Sequence, residues 1–232
     1  MAALDGKIAI IGGSGAEGTG LALRFAKAGL TVLIGSRDAD RAEAAAAQIS
    51  MKARSTNVSG HRNEQAADSA DVVVLTVPLA AHAQTLKSLN PRLKPGTIVV
   101  DATVPLEIAI GGRVSRVLSL WDGSAAQQCA RLVPEGVRVV AAFHSLSAGA
   151  LARLEERVDC DVLVCGDDDQ AKRAVAELAG KIDGVRAIDA GPLESARYLE
   201  TSAALLISLN LQHKVKHSGM RITGLPERSG PR

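Results

Sequence analysis

Residues 7–18 read Lys7-Ile8-Ala9-Ile10-Ile11-Gly12-Gly13-Ser14-Gly15-Ala16-Glu17-Gly18, a short β-branched run followed at once by a glycine turn. The spacing Gly13-x-Gly15-x-x-Gly18 suits a pyrophosphate lying against backbone N–H groups at a helix N-terminus, where side chains would hold it away. Gly13 then permits the tight turn, Gly15 the close approach of the ligand, and Gly18 the packing of helix on strand. Such a spacing means little unless a strand precedes it and a helix follows. Both are present: residues 16–28 carry Leu21, Leu23, Phe25 and Ala26 at helical spacing before Gly29 ends the helix.

The next apolar run, Thr31-Val32-Leu33-Ile34, ends where an NAD-specific site places Asp or Glu against the ribose 2′-hydroxyl. This chain has Gly35-Ser36-Arg37 there instead, with Arg41 about one helical turn later. A guanidinium pairs with a 2′-phosphate through charge-assisted, bidentate hydrogen bonds, and a serine hydroxyl adds another. The pattern therefore favours NADP over NAD. Glu17 stands where an anion approaches, so its carboxylate is required to point away from the phosphates.

Outward from this unit, strand and helix signals alternate. Residues 40–49 form an alanine-rich helix, residues 58–60 a short strand, and Asn63 caps the helical residues 64–67. Residues 71–77 make a buried strand, residues 80–89 a helix, and residues 97–101 and 137–142 two further strands. The alternation predicts an α/β fold: a Rossmann-type, doubly wound, mostly parallel sheet covered on both faces. Residues 1–150 read as the NADP-binding domain. Residues 151–232 read as a small C-terminal α/β extension, with strands at 160–166 and 185–190 and helices at 167–182 and 193–214.

Ligands of such sheets lie along the carboxyl ends of the strands. That rule nominates Val77, Pro78 and Leu79 after one strand, Ala102 to Pro105 after the next, and Phe143 to Ala148 after the last. His144 is the imidazole among them, able to hydrogen-bond a substrate carbonyl or enol, or else to sit in the core bonded to backbone.

Composition narrows the field. A chain of 232 residues with 47% hydrophobic residues supports one sizeable core. A net charge of +2 and only 2% aromatic residues give no case for nucleic acid. Residues 197–232 are locally basic, with six Lys/Arg against two Asp/Glu. The three cysteines, Cys129, Cys160 and Cys165, lack metal or redox spacing and read as small reduced residues. No signal segment or membrane span is visible, so a cytoplasmic protein is expected.

The chain resembles the NADPH-dependent reductases of the deazaflavin coenzyme F420, the F420:NADP oxidoreductases. The likeness covers almost the whole sequence and rests on Gly12-Gly13-Ser14-Gly15 with Gly18, Gly35-Ser36-Arg37, Thr76-Val77-Pro78, Val104-Pro105 and Ala142-Phe143-His144. Later and more specific motifs carry it further: residues 164–169, Asp183-Gly184-Val185-Arg186, residues 189–193 and Gly219-Met220-Arg221-Ile222-Thr223. It implies hydride transfer between C4 of the nicotinamide and C5 of the deazaflavin, with residues that position the rings. It places NADP across Gly13, Ser14, Gly15, Ala16, Glu17 and Gly18, with Ser36, Arg37 and Arg41 around the 2′-phosphate and Val77, Pro78, Leu79, Val104 and Ala148 along the rest. The deazaflavin is implied near His144, Leu146 and Thr223, its anionic tail met by Lys214, Lys216 and Arg221, in a homodimer. Ala16, Glu17 and Leu79 depart from the family pattern. Two alternatives stand beside it: an NADPH-dependent reductase of a flavin or ferric chelate, and a non-catalytic NADP-binding redox sensor.

Overall fold

The computed structural model describes residues 6–226, 230 and 231. Eight strands form one sheet: β1 (Ile8–Ile11), β2 (Val32–Ser36), β3 (Val58–Arg62), β4 (Val72–Leu75), β5 (Ile98–Asp101), β6 (Arg138–Ala141), β7 (Cys160–Gly166) and β8 (Val185–Asp189). Their order is β3-β2-β1-β4-β5-β6-β7-β8, and β6 with β7 is the antiparallel pair. The Rossmann-type sheet expected from the alternation is therefore present, and residues after 151 extend it by two strands.

The period-two alternation of the strands divides the core. Ile8, Ile10, Val32, Ile34, Val72, Val74 and Val100 point to one face, where α1 (Ala16–Lys27), α2 (Ala39–Ala53), α6 (Ala148–Leu151) and α7 (Asp169–Gly180) cover them. Ala9, Ile11, Leu33, Val73, Leu75 and Val99 point to the other. There α3 (Asn63–Asp68), α4 (Leu79–Leu89), α5 (Ala125–Leu132) and the first turns of α8 (Ala196–His213) pack on them. Central strands buried on both faces read as continuous apolar runs, which is why they were legible.

Register decides where a ligand can lie. Ile11 pairs with both Gly35 and Leu75, Leu75 with Asp101, and Asp101 with Ala141. The five central strands thus end level, and the loops after them share one rim. Chain order reverses between β1 and β4, which opens a crevice at that rim.

Three local expectations are corrected. The turn residue with positive φ is Gly12 (φ 81), not Gly13, because the chain reverses immediately after β1. A side chain at Gly12 would also meet the Thr76 carbonyl oxygen at 3.0 Å. Asn63 does not cap α3 but is its first residue, with Arg62 in the cap position. The short helices α5 and α6 had no counterpart in the sequence reading, since eight and four residues hold too little periodicity to register.

Candidate active site

The phosphate turn is held from below. The Thr19 hydroxyl donates to the Gly13 carbonyl at 3.0 Å, the Gly15 N–H to the Gly12 carbonyl at 2.8 Å, and the Thr76 hydroxyl to the Ile11 carbonyl at 3.0 Å. Gly18 is needed for contact: a Cβ there would lie 2.6 Å from the Thr76 hydroxyl and 2.7 Å from the Gly13 Cα. Gly15 is the N-cap of α1 and has no capping side chain, so the first N–H groups of the helix have no partner from a cap side chain. At Gly15 a side chain would find room among protein atoms, meeting only the Gly12 carbonyl oxygen at 3.2 Å. Its lack of a side chain therefore matters on the open side, where a ligand approaches. This arrangement fits a diphosphate on a helix N-terminus.

A cleft of about 750 Å³ runs from this turn along the rim. One end is lined by Ser36, Arg37 and Arg41. The Asp38 carboxylate caps α2 by accepting the Arg41 N–H at 3.3 Å, and the Ser36 hydroxyl accepts the Asp38 N–H at 3.3 Å. Both guanidiniums are exposed, and neither forms an ion pair with another described residue. Free cations on a rigid turn are what a 2′-phosphate requires. Ser14, Gly15, Ala16 and Glu17 line the middle, with Val77, Pro78 and Val104 opposite and His144, Leu146 and Ala148 further along.

His144 reaches the cleft because the preceding residue is strained. Phe143 has φ 74, a left-handed conformation that side chains rarely adopt. Its ring is thereby turned into the core, edge-on to Phe25 with centroids 6.1 Å apart. His144 follows with both ring nitrogens buried and without a hydrogen-bond partner among the described residues. Burial pushes its pKa down to about 4, so the imidazole is neutral, with one donor and one acceptor to offer. The ring is also buried beside the Thr103 backbone, so the structure carries both features weighed from the sequence, a cleft-lining imidazole and a core histidine.

Beneath this rim lies a buried ion pair. His82 of α4 is 2.6 Å from Asp101 at the end of β5, and the Asp101 carboxylate also accepts the Thr103 N–H at 2.8 Å. Burial opposes both charges, but their mutual attraction wins, raising the His82 pKa and lowering that of Asp101. The pair fixes the loop that carries Thr103 and Val104.

Several predicted residues fall elsewhere. Gly13 and Gly18 support the turn from inside and do not line the cleft, and Leu79 opens α4 beside it. Thr223 is exposed and outside the cleft, because its neighbours are tied to β7: the Asp161 carboxylate accepts from the Ile222 N–H at 2.7 Å and from Arg221 at 2.7 Å. Arg221 is thus held against β7 by its ion pair with Asp161, and Lys214 and Lys216 do not line the cleft either. Its wall beyond His144 comes instead from Ala203, Leu206, Ile207 and Asn210 of α8 and from Ser218. Sequence reasoning missed these, although an i, i+3, i+4, i+7 pattern along residues 203–210 was available to find them. Glu17 is among the residues that line the cleft, with its Oε1 buried and without a hydrogen-bond partner among the described residues.

The model of the family described as "NADP oxidoreductase coenzyme F420-dependent" matches residues 7–105. The F420-dependent NADP reductase of Methanothermobacter thermautotrophicus is 52% identical over 95% of this chain and 96% of its own length. The chain belongs to the F420-dependent NADP reductase family. A family structure from Arthrobacter sp. FB24, solved as a candidate F420-dependent NADP reductase, superposes with a TM-score of 0.80 at 26% identity, over 94% of this chain and 100% of that one. The metalloreductase STEAP3 of Rattus norvegicus is 32% identical over 84% of this reductase-family chain, which spans 36% of that protein's length.

Proposed function

We propose that this chain transfers a hydride between NADP(H) and coenzyme F420, which follows from its membership of the reductase family. The observation that carries the proposal is the continuity of the cleft. It begins at a phosphate turn with two free arginines and continues past a neutral histidine to a wall built by α8. The nicotinamide supplies or accepts the hydride at C4. The first N–H groups of α1 hold the diphosphate, Ser36, Arg37 and Arg41 the 2′-phosphate, and Val77, Pro78, Val104 and Ala148 the remainder of the dinucleotide. His144 and Leu146 position the deazaflavin ring, with Ile207 and Ser218 taking the place first given to Thr223. The role of these groups is to bring the two rings into contact and exclude water.

Residues 1–150 serve as the dinucleotide half and residues 151–232 complete the acceptor side. The exposed apolar residues Tyr198, Leu205 and Leu209 of α8 suit cover by a second copy, and a cytoplasmic homodimer is the form proposed. No helix among the described residues is long and apolar enough to cross a membrane.

Mixing the protein with NADP and reduced F420 and following deazaflavin absorbance tests the assignment. Turnover supports it; no turnover, with NADPH-dependent reduction of a flavin or ferric chelate instead, replaces it. The similarity to a metalloreductase makes the ferric chelate the acceptor to include. A redox sensor without turnover would bind NADPH and reduce none of the three.

A further inference from the structure

We propose that Glu17 meets NADP(H) as a neutral carboxylic acid whose O–H donates to a phosphate oxygen of the dinucleotide, so that cofactor binding at alkaline pH takes up one proton. The inference rests on the reading of the cleft as an NADP site.

Glu17 is the second residue of α1, directly on the phosphate turn, and it lines the cleft. Its Oε1 is buried without a hydrogen-bond partner among the described residues. An unpaired buried carboxyl is costly, and beside a diphosphate an ionised one is more so. The groups around it offer no relief. Across the cleft stand Thr76 and Val77 after β4, neutral His144 and Ser147 after β6, and Ser218 of the C-terminal segment; none is charged. Arg37, Asp38 and Arg41 occupy the β2–α2 end of the cleft, and no charged group counts among the causes of the Glu17 shift, which is burial. Burial pushes this carboxyl up to about 8. A neutral carboxyl in this place has an O–H to give, and a phosphate oxygen is the acceptor that the helix N-terminus brings to it.

The sign of the linkage follows. Below about pH 7 the free carboxyl already holds its proton, and affinity is indifferent to pH. Above about pH 8 the free protein has lost it while the complex retains it, because phosphate charge disfavours the carboxylate further. Affinity then falls by up to about tenfold per pH unit. The 2′-phosphate titrates near pH ~6, outside this window.

The test measures NADPH Kd by nicotinamide fluorescence from pH 6.5 to 9.5, with calorimetry at pH 9 in two buffers of different ionisation enthalpy to count protons. Wild type should bind about tenfold or more weakly at pH 9.5 than at pH 7 and take up close to one proton. Glu17→Gln, whose amide N–H donates but does not titrate, should show a flat pH profile and no proton uptake, whatever its Kd at pH 7. A wild-type protein with a flat Kd and no proton uptake overturns the proposal. So does a folded Glu17→Gln protein that keeps the slope. If Glu17→Gln does not fold, the wild-type proton count decides alone. Failure of both proteins to bind NADPH at pH 7 would instead remove the NADP reading itself.

Discussion

Arg37 and Glu17 stand in one cleft, and opposite arguments apply to them. Arg37 is an exposed cation that lines the cleft, and sequence position alone nominated it for the 2′-phosphate. A charge-assisted hydrogen bond contributes about 1.5–3 kcal/mol, so Arg37→Glu should lower the NADPH over NADH preference by roughly ten- to a hundredfold or invert it. Steady-state kcat/KM with each cofactor checks this, and unchanged discrimination would remove the 2′-phosphate role. Glu17 was legible as an anomaly but not as a state, because its proton depends on burial by residues distant in sequence. Its raised pKa means that the unfolded chain releases the proton at lower pH than the folded one. Folding stability attributable to it therefore falls as pH rises from about 4.5 to about 8. Thermal melts of wild type and Glu17→Gln should diverge across that range, the variant being the more stable at pH 8; parallel curves would show an accessible carboxylate. His144→Ala should lower F420 turnover while NADPH Kd changes little, since the ring hydrogen-bonds no described side chain. Loss of the fold would place it in the core.

At the scale of elements, the cleft depends on a contact that no local pattern announces. Arg24 of α1 is buried and donates to four carbonyl oxygens, those of Leu151 at 2.9 Å, Glu156 at 2.9 Å, Ala150 at 2.9 Å and Arg153 at 2.6 Å. It thereby pins α6, whose first residue Ala148 lines the cleft, against the helix that presents the phosphate turn. Gly20 makes room for this: a Cβ there would stand 2.7 Å from the Leu151 Cβ. Arg24→Met removes every donor, leaving the Ala150 and Arg153 carbonyls only their backbone N–H partners and the Leu151 and Glu156 carbonyls without the guanidinium, so a loss of about 2–4 kcal/mol in denaturant unfolding is expected, with weaker NADPH binding. A stability change under about 0.5 kcal/mol would show that α6 is held by its apolar contacts alone. By contrast, the cap of α7 is a local matter: the Asp168 carboxylate accepts the Ala171 N–H at 2.7 Å, three residues on.

For the whole molecule, the chain from β7 onward matters because β7 runs antiparallel to β6 and continues the sheet at that edge. Asp161 of β7 is the anchor: burial would raise its pKa, but Arg186, the Ile222 N–H and Arg221 hold it down to about 2. Its contribution is therefore present above the ordinary carboxylate range and is lost as pH falls towards 2. The exposed face of α8 gives the test at this scale. Leu205→Glu should halve the mass found by light scattering, with the fold intact by circular dichroism. A wild-type monomer at micromolar concentration would remove the homodimer.

Most of the sheet was legible because strands buried on both faces are runs of Val, Ile and Leu, and turns at their ends need glycine. Much of the cleft lining came with it, since the level ends of parallel strands convert sequence position into spatial position. Residues 203–210 and Ser218 joined the cleft only on folding, and Thr223 left it, because ion pairs to Asp161 decide where the C-terminal segment lies. The sequence by itself determined the fold class, the phosphate turn and the cations beyond it, all of which depend on neighbours within a few residues. The tertiary structure alone decided the burial of His144 and of the Glu17 Oε1 and the α8 wall of the cleft. These depend on burial and on charges brought together from across the chain.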